Sequence, residues 1–158
     1  MELYTIYPKA MEWSKNIRKW FPYTVSILLA ILFIYAGSSK LFDFGQFKIQ
    51  LGQSPILTAY ADVVAWIVPL VEFLLALLLL FNRFRLAAFY GSFALMVMFT
   101  TYILLVLNFS DYIPCSCGGV LENMGWTEHI VFNLIFVVLA IIAIVQLEAY
   151  PTLKPSVS

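Results

Sequence analysis

Charged residues divide the chain into four long apolar stretches. Pro22 to Ser39, Leu86 to Ser110 and Ile130 to Leu147 carry no charge, and Val63 to Phe81 carries only Glu72. A helix needs about 20 mostly apolar residues to cross the hydrocarbon core of a bilayer, and each stretch has room for one. The pattern predicts an all-α fold, a polytopic membrane protein built as a four-transmembrane-helix bundle. The spans fall at about 22–41, 62–81, 86–109 and 128–147, inside one domain over 22–147 with a tail at 148–158. Ahead of them, residues 1–21 set Tyr4, Tyr7, Trp13, Trp20 and Phe21 among Lys9, Lys15, Arg18 and Lys19. That mixture predicts an interfacial amphipathic helix on the membrane surface, with a docking strip for a partner protein as the other reading.

Composition agrees with the pattern. A chain that is 63% hydrophobic and 11% charged has too little polar material for a water-soluble surface, so its solvent is largely lipid. The first stretch resembles a secretory signal in hydropathy. It starts some twenty residues in and lacks a small-residue cleavage site, so it is expected to be retained. The net charge of zero gives no reason to expect a nucleic-acid partner.

The placement of charge says more than its sum. Of the nine Lys and Arg residues, all but Lys40 and Lys48 fall on one side if the spans alternate. Positive residues in short loops favour the cytoplasm. Both termini are therefore expected in the cytoplasm, and the 40–62 and 110–128 loops outside the inner (cytoplasmic) membrane. Lys40 reads either as a side chain snorkelling to the headgroups or as a structural or functional group.

The two outer loops differ in character. Gly45, Gly52 and Pro55 punctuate the first, while Phe42, Phe44, Phe47, Ile49 and Leu51 keep it apolar, which predicts a lid or re-entrant strip on the membrane. The second runs Asp111-Tyr112-Ile113-Pro114-Cys115-Ser116-Cys117-Gly118-Gly119 and holds both cysteines of the chain. One helical turn is expected over 120–124, stopped by Gly125. Thr127 is then the expected cap of the fourth span, with Glu128 in its first turn. Cys117 would lie near the start of that short turn, where free N–H groups favour a thiolate.

Three readings of Cys115 and Cys117 compete. Two thiols one residue apart close a small, strained ring, which exchanges readily and restrains little of the unfolded chain, so the pair suits electron transfer better than stapling. As a metal site the two sulfurs with His129 leave a four-coordinate shell incomplete, and no metal is expected. In the third reading both are small apolar residues without a role.

Taken in order, Ala36-Gly37-Ser38-Ser39-Lys40, the Pro69-Leu70-Val71-Glu72 piece and Cys115-Ser116-Cys117-Gly118-Gly119 resemble the MauE/DoxX family of redox-associated membrane proteins over nearly the whole chain. The resemblance implies a bundle related in architecture to the quinone-linked disulfide oxidoreductases, and a role in forming or relaying disulfides in exported proteins. Those better-known enzymes use Cys-x-x-Cys and usually a second outer cysteine pair. Here the spacing is Cys-x-Cys and the first outer loop has no cysteine, so a thioredoxin-fold partner would have to supply the other dithiol.

A few polar residues inside the spans add candidates. Glu72 lies near mid-membrane, where an ionisable group is costly and marks a function or a buried pairing. Pro69, three residues earlier, frees a backbone carbonyl that could serve Glu72 or open a water pocket. Glu72 reads as a polar lock or as a proton-handling or quinone-contacting group. Asp62 reads as an interfacial cap paired with Lys40. His129 reads as a simple interfacial residue or as the group that stabilises a thiolate and passes a proton. Phe93, Phe99, Tyr102, Trp66 and Trp126 read either as the lining of a quinone slot or as the aromatic girdle of an ordinary membrane protein, and Asn108 and Asn133 as residues that bond between helices.

The leading expectation is a membrane thiol–disulfide oxidoreductase or electron-relay protein. Cys115 and Cys117 form its redox pair, His129 assists, and Glu72 and Lys40 support the bundle or bind the electron acceptor, a quinone. The alternatives are a non-catalytic subunit or assembly factor of a larger envelope complex, and, with less support, a small transporter or channel.

Overall fold

A computed structural model describes the backbone of residues 3–53, 58–109 and 125–149, with side chains from Trp20 onward except Gln53, Val106, Phe109 and Trp126. The described residues form α1 (Leu3–Phe42), α2 (Phe44–Gln53), α3 (Ala61–Leu80), α4 (Arg85–Phe109) and α5 (Trp126–Ala149), with a 3₁₀ turn at Thr58–Tyr60 leading into α3. Four stretches, Trp20–Phe42, Thr58–Leu80, Arg85–Leu105 and Thr127–Ala149, are long and apolar enough to cross a bilayer. The chain is thus a multi-pass, all-α membrane protein, with no strand among the described residues.

Along α3 the outward residues Trp66, Ile67, Leu70, Leu74 and Leu77 are as apolar as the buried Ala65, Val68, Leu75, Ala76 and Leu79. A helix that is hydrophobic all round belongs in lipid. Lipid tails give helices no hydrophobic reason to associate, so close backbone approach must supply the packing. α1 packs chiefly on α3 and α4 on α5. Their shared core is rich in small residues, with Ala30, Ala76, Ala88, Ala140 and Ala143 buried around Leu29, Phe33, Leu79 and Phe89. Gly91 shows how close α4 and α3 come: a β-carbon there would lie 2.6 Å from Leu75 Cδ2. The buried hydroxyls of Ser92 and Thr100 donate to the carbonyls of Ala88 and Met96 one turn back, so neither asks for a partner from another helix.

Two features differ from expectation. The aromatic and basic stretch before Pro22 is continuous with the first span, α1 running unbroken from Leu3 to Phe42. Proline removes one N–H from the ladder without ending the helix here, and Pro22 is itself buried. The first predicted loop also contains a helix. Asp43 alone separates α1 from α2; its N–H donates to the Ser39 carbonyl and its own carbonyl accepts from Phe47 N–H. Gly45 and Gly52 therefore sit inside α2 instead of punctuating a loop. α2 lays Phe47 and Leu51 against Ala61, Ala65 and Val68 of α3.

Because neighbouring spans run antiparallel, Lys40, α2, the start of α3, the end of α4 and the start of α5 share one end of the bundle. Arg85 marks the other. At that end the Arg85 guanidinium lies 5.3 Å from the centre of the Tyr23 ring, and Tyr90 donates to Glu148 Oε1 at 2.7 Å. The main core fills the half toward Arg85. The half toward Lys40 is hollow.

Candidate functional site

Glu72 is 1% exposed, deep in α3 and facing α1. Isolated, a carboxylate there would be expensive. Lys40 answers it: its Nζ lies 2.7 Å from Glu72 Oε1, in a pair whose side chains are 14% and 1% exposed. The ammonium also donates to the Ala36 carbonyl at 3.3 Å. The rings of Phe99 and Phe47 flank it, with centroids 5.3 and 5.9 Å away. The lysine arm thus reaches inward along the bundle, and the snorkelling reading of Lys40 fails. Glu72 takes its partner from α1 and not from the carbonyl that Pro69 frees.

Asp62 pairs elsewhere as well. Its carboxylate meets Lys48 of α2 at 2.7 Å, with both side chains exposed, so the expected Lys40–Asp62 pair does not form. That exposed bridge and the Phe44–Trp66 ring contact, 4.6 Å between centroids, fasten α2 to the start of α3.

Gly37 makes room for the buried pair. A β-carbon there would lie 3.1 Å from the Phe73 ring and 3.4 Å from Glu72 Oε2. The short Ala36-Gly37 piece therefore has a steric reason: α1 must be bare where the carboxylate and the ring press against it.

Beside the pair opens a cavity of about 540 Å³, lined by all five helices. Most of its wall is apolar, from Leu32, Phe33, Leu51, Val64, Val68, Met96 and Phe99 among others, and Lys40, Glu72, His129 and Asn133 also face it. The size and the few convergent polar groups fit a small lipid-soluble molecule. Among the described residues, His129 is half-buried in the first turn of α5 and its Nδ1 has no hydrogen-bond partner. One turn on, Asn133 is buried with Nδ2 likewise unpartnered, as is Glu72 Oε2. Buried polar atoms are normally paired, and each exception calls for an explanation.

Of the residues singled out from sequence, Lys40, Glu72 and His129 meet at this cavity. Cys115 and Cys117 lie outside the described residues, in the 110–124 segment that joins α4 to α5. Gly125, which closes that segment, stands at the start of α5: its carbonyl accepts from His129 N–H and its N–H donates to Glu128 Oε2 at 3.1 Å. The expected cap at Thr127 is therefore displaced to Gly125, with Glu128 reaching back as in the glutamate half of a capping box. Of the aromatic candidates, Phe99 and Tyr102 line the cavity, Phe93 packs on the main core, and Trp66 is exposed.

Asn133 was visible in the sequence only as an interhelical packing residue; its position four after His129, on the same face of one helix, is the signal that ties it to the site. Asn108, the other asparagine, donates to the Leu104 carbonyl within its own helix. Among the described residues no group of three or more metal-ligating side chains occurs.

A family model described as "Methylamine utilisation protein MauE" matches residues 18–146 of the chain. The match takes in Lys40, Glu72, both cysteines, His129 and Asn133. Comparisons with curated proteins and with solved structures returned no match.

Proposed function

Because the chain belongs to the MauE family, we propose that it is a thiol–disulfide oxidoreductase of the inner membrane, in which Cys115 and Cys117 exchange electrons with a lipid-soluble quinone seated beside Lys40 and Glu72. The observation that carries this reading is the cavity itself. It is mostly apolar, lies in the half of the bundle to whose end the cysteine segment is attached, and is lined by a buried ion pair together with His129 and Asn133.

The chemistry balances without another reactant. A thiolate of a thioredoxin-fold partner attacks the Cys115–Cys117 disulfide, the S–S bond breaks, and a mixed disulfide forms. The partner's second thiol then displaces the mixed bond, so the partner leaves oxidised and the pair is left as two thiols. Those thiols return to the disulfide by losing two electrons and two protons, for which a quinone held beside Lys40 and Glu72 would be the acceptor. His129, fourteen residues along the chain from Cys115 and twelve from Cys117, would hold one of those protons at a ring nitrogen.

The charge pattern supports cytoplasmic termini, with the cysteine pair on the outer side. A second reading draws on the family description: a membrane accessory to a larger system for methylamine utilisation, in which the cysteine bridge only shapes a docking loop.

Reconstituting the full chain, cysteines reduced, in phospholipid vesicles with a decyl-tailed para-benzoquinone separates the two. The oxidoreductase reading expects both thiols to disappear from an alkylation gel-shift assay and Cys117→Ser to trap an exported dithiol protein as a mixed disulfide. Thiols that persist under excess quinone and trap nothing would leave the accessory reading. An impermeant thiol reagent that fails on intact cells where a permeant one succeeds would invert the orientation.

A further inference from the structure

Among the described residues, Glu72 Oε2, Asn133 Nδ2 and His129 Nδ1 are buried at the cavity without a hydrogen-bond partner. They are not equivalent. An ionised carboxylate oxygen only accepts hydrogen bonds, an amide nitrogen only donates, and a neutral imidazole nitrogen does one or the other according to its tautomer. Lys40 Nζ meets Oε1 of the Glu72 carboxylate at 2.7 Å as an ion pair, which leaves Oε2 as the acceptor facing the cavity. Its own donors are directed to Glu72 and to the Ala36 carbonyl between two phenyl rings. Two of the three Lys40 donors are thus engaged, and it is a positioning residue for Glu72. Besides its third N–H and His129 Nδ1, whose role follows the tautomer, the groups with a fixed role toward a ligand are an acceptor on α3 and a donor on α5.

A quinone carries only acceptors. Its second carbonyl would set lone pairs against Glu72 Oε2. A hydroquinone hydroxyl donates to that oxygen, in a hydrogen bond strengthened by the carboxylate charge, while the other hydroxyl oxygen still accepts from Asn133. Resting on the quinone reading above, we infer that the cavity holds the reduced, hydroxyl-bearing form of a para-quinone in preference to the oxidised form, with Glu72 Oε2 accepting from one ring hydroxyl and Asn133 Nδ2 donating to the opposite ring oxygen. A site that favours the reduced form raises the potential of the bound couple by about 30 mV for each tenfold of preference in a two-electron exchange. The preference therefore draws electrons from the cysteine thiols to the ring, and the chain works as an oxidant of its partner.

The test is binding, read without turnover. The full chain carrying Cys115→Ser and Cys117→Ser, in nanodiscs under anaerobic conditions, is titrated with a decyl-tailed para-benzoquinone, its hydroquinone, and the bis-methyl ether of that hydroquinone. The hydroquinone is expected to bind about tenfold tighter than the quinone. The ether keeps the acceptors but has no donor, and is expected to bind no better than the quinone. Asn133→Leu should weaken both redox forms alike, while Glu72→Gln should bring them together. Since Glu72→Gln strands Lys40, the ether comparison on an unaltered pocket decides the matter. Equal affinity for quinone and hydroquinone, or an ether as tight as the hydroquinone, overturns the preference and leaves the quinone reading standing. Failure of all three rings to bind removes both.

Discussion

Cutting the Lys40–Glu72 pair should cost more than deleting it. At 2.7 Å the two charges attract by roughly 6 kcal/mol at an effective dielectric of about 20. Removing a carboxylate and an ammonium from water costs several kcal/mol each, so the pair as a whole comes out near balance. Its members are far from balance alone, because Glu72 is 1% exposed and Lys40 14% at the side chain. Lys40→Met and Glu72→Met are each expected to lose about 3–5 kcal/mol, the usual cost of stranding a buried charge. That corresponds to roughly a hundred- to several-thousand-fold rise in the unfolded fraction. The double variant replaces both charges by unbranched apolar side chains of similar length, and is expected to lose less than either single one. Reversible unfolding in mixed micelles, followed by tryptophan fluorescence, measures all three. If the double variant loses the sum of the two single losses, the sites are independent and the pairing account is refuted.

Gly37→Leu should destabilise by about 1–3 kcal/mol, because its β-carbon alone would lie 3.1 Å from the Phe73 ring and 3.4 Å from Glu72 Oε2 and the rest of the side chain has to displace them, which exceeds the roughly 1 kcal/mol regained by removing a helical glycine. The same unfolding assay reads it, and no loss would mean the helices separate freely at that point. Asp62→Asn removes an exposed bridge to Lys48 and should change stability by less than about 1 kcal/mol, with the difference fading at high salt. A large, salt-insensitive loss would contradict the exposure of that pair. Glu128→Ala deletes the acceptor for Gly125 N–H, and should speed hydrogen exchange in the first turn of α5 while leaving the middle of that helix unchanged.

The spans were legible because the bilayer penalises charge so heavily that four uncharged or nearly uncharged stretches leave little choice of fold. Glu72 stood out for the same reason, as the one charge within those four stretches. Its partner did not, because Lys40 is thirty-two residues away on another helix, and pairing across helices depends on how each is rotated about its axis. In α1 and α3 both faces are apolar, so hydropathy carries no record of that rotation. Gly37 held the missing clue, since a residue without a side chain marks where a neighbour comes close. α2 was misread because glycines that punctuate a loop in water are tolerated in a helix whose other residues pack on α3. The shift of the α5 start from Thr127 to Gly125 has a local cause: a backbone N–H that finds Glu128 needs no hydroxyl. Asn133 looked like a packing residue because the sequence does not reveal the empty space in front of it.

The contrast between the filled half of the bundle and the hollow half gives the molecule unequal compressibility along its length. Close-packed interiors yield little to pressure, whereas a void offers volume that can be eliminated. Hydrostatic pressure should therefore act first on the Lys40 end and leave the alanine-lined end near Arg85 in place. Lateral compression by a tighter, more ordered bilayer works on the same volume. The capacity of the cavity is thus tied to the state of the surrounding lipid, and a change in acyl-chain order becomes a means of tuning how readily a ring enters or leaves.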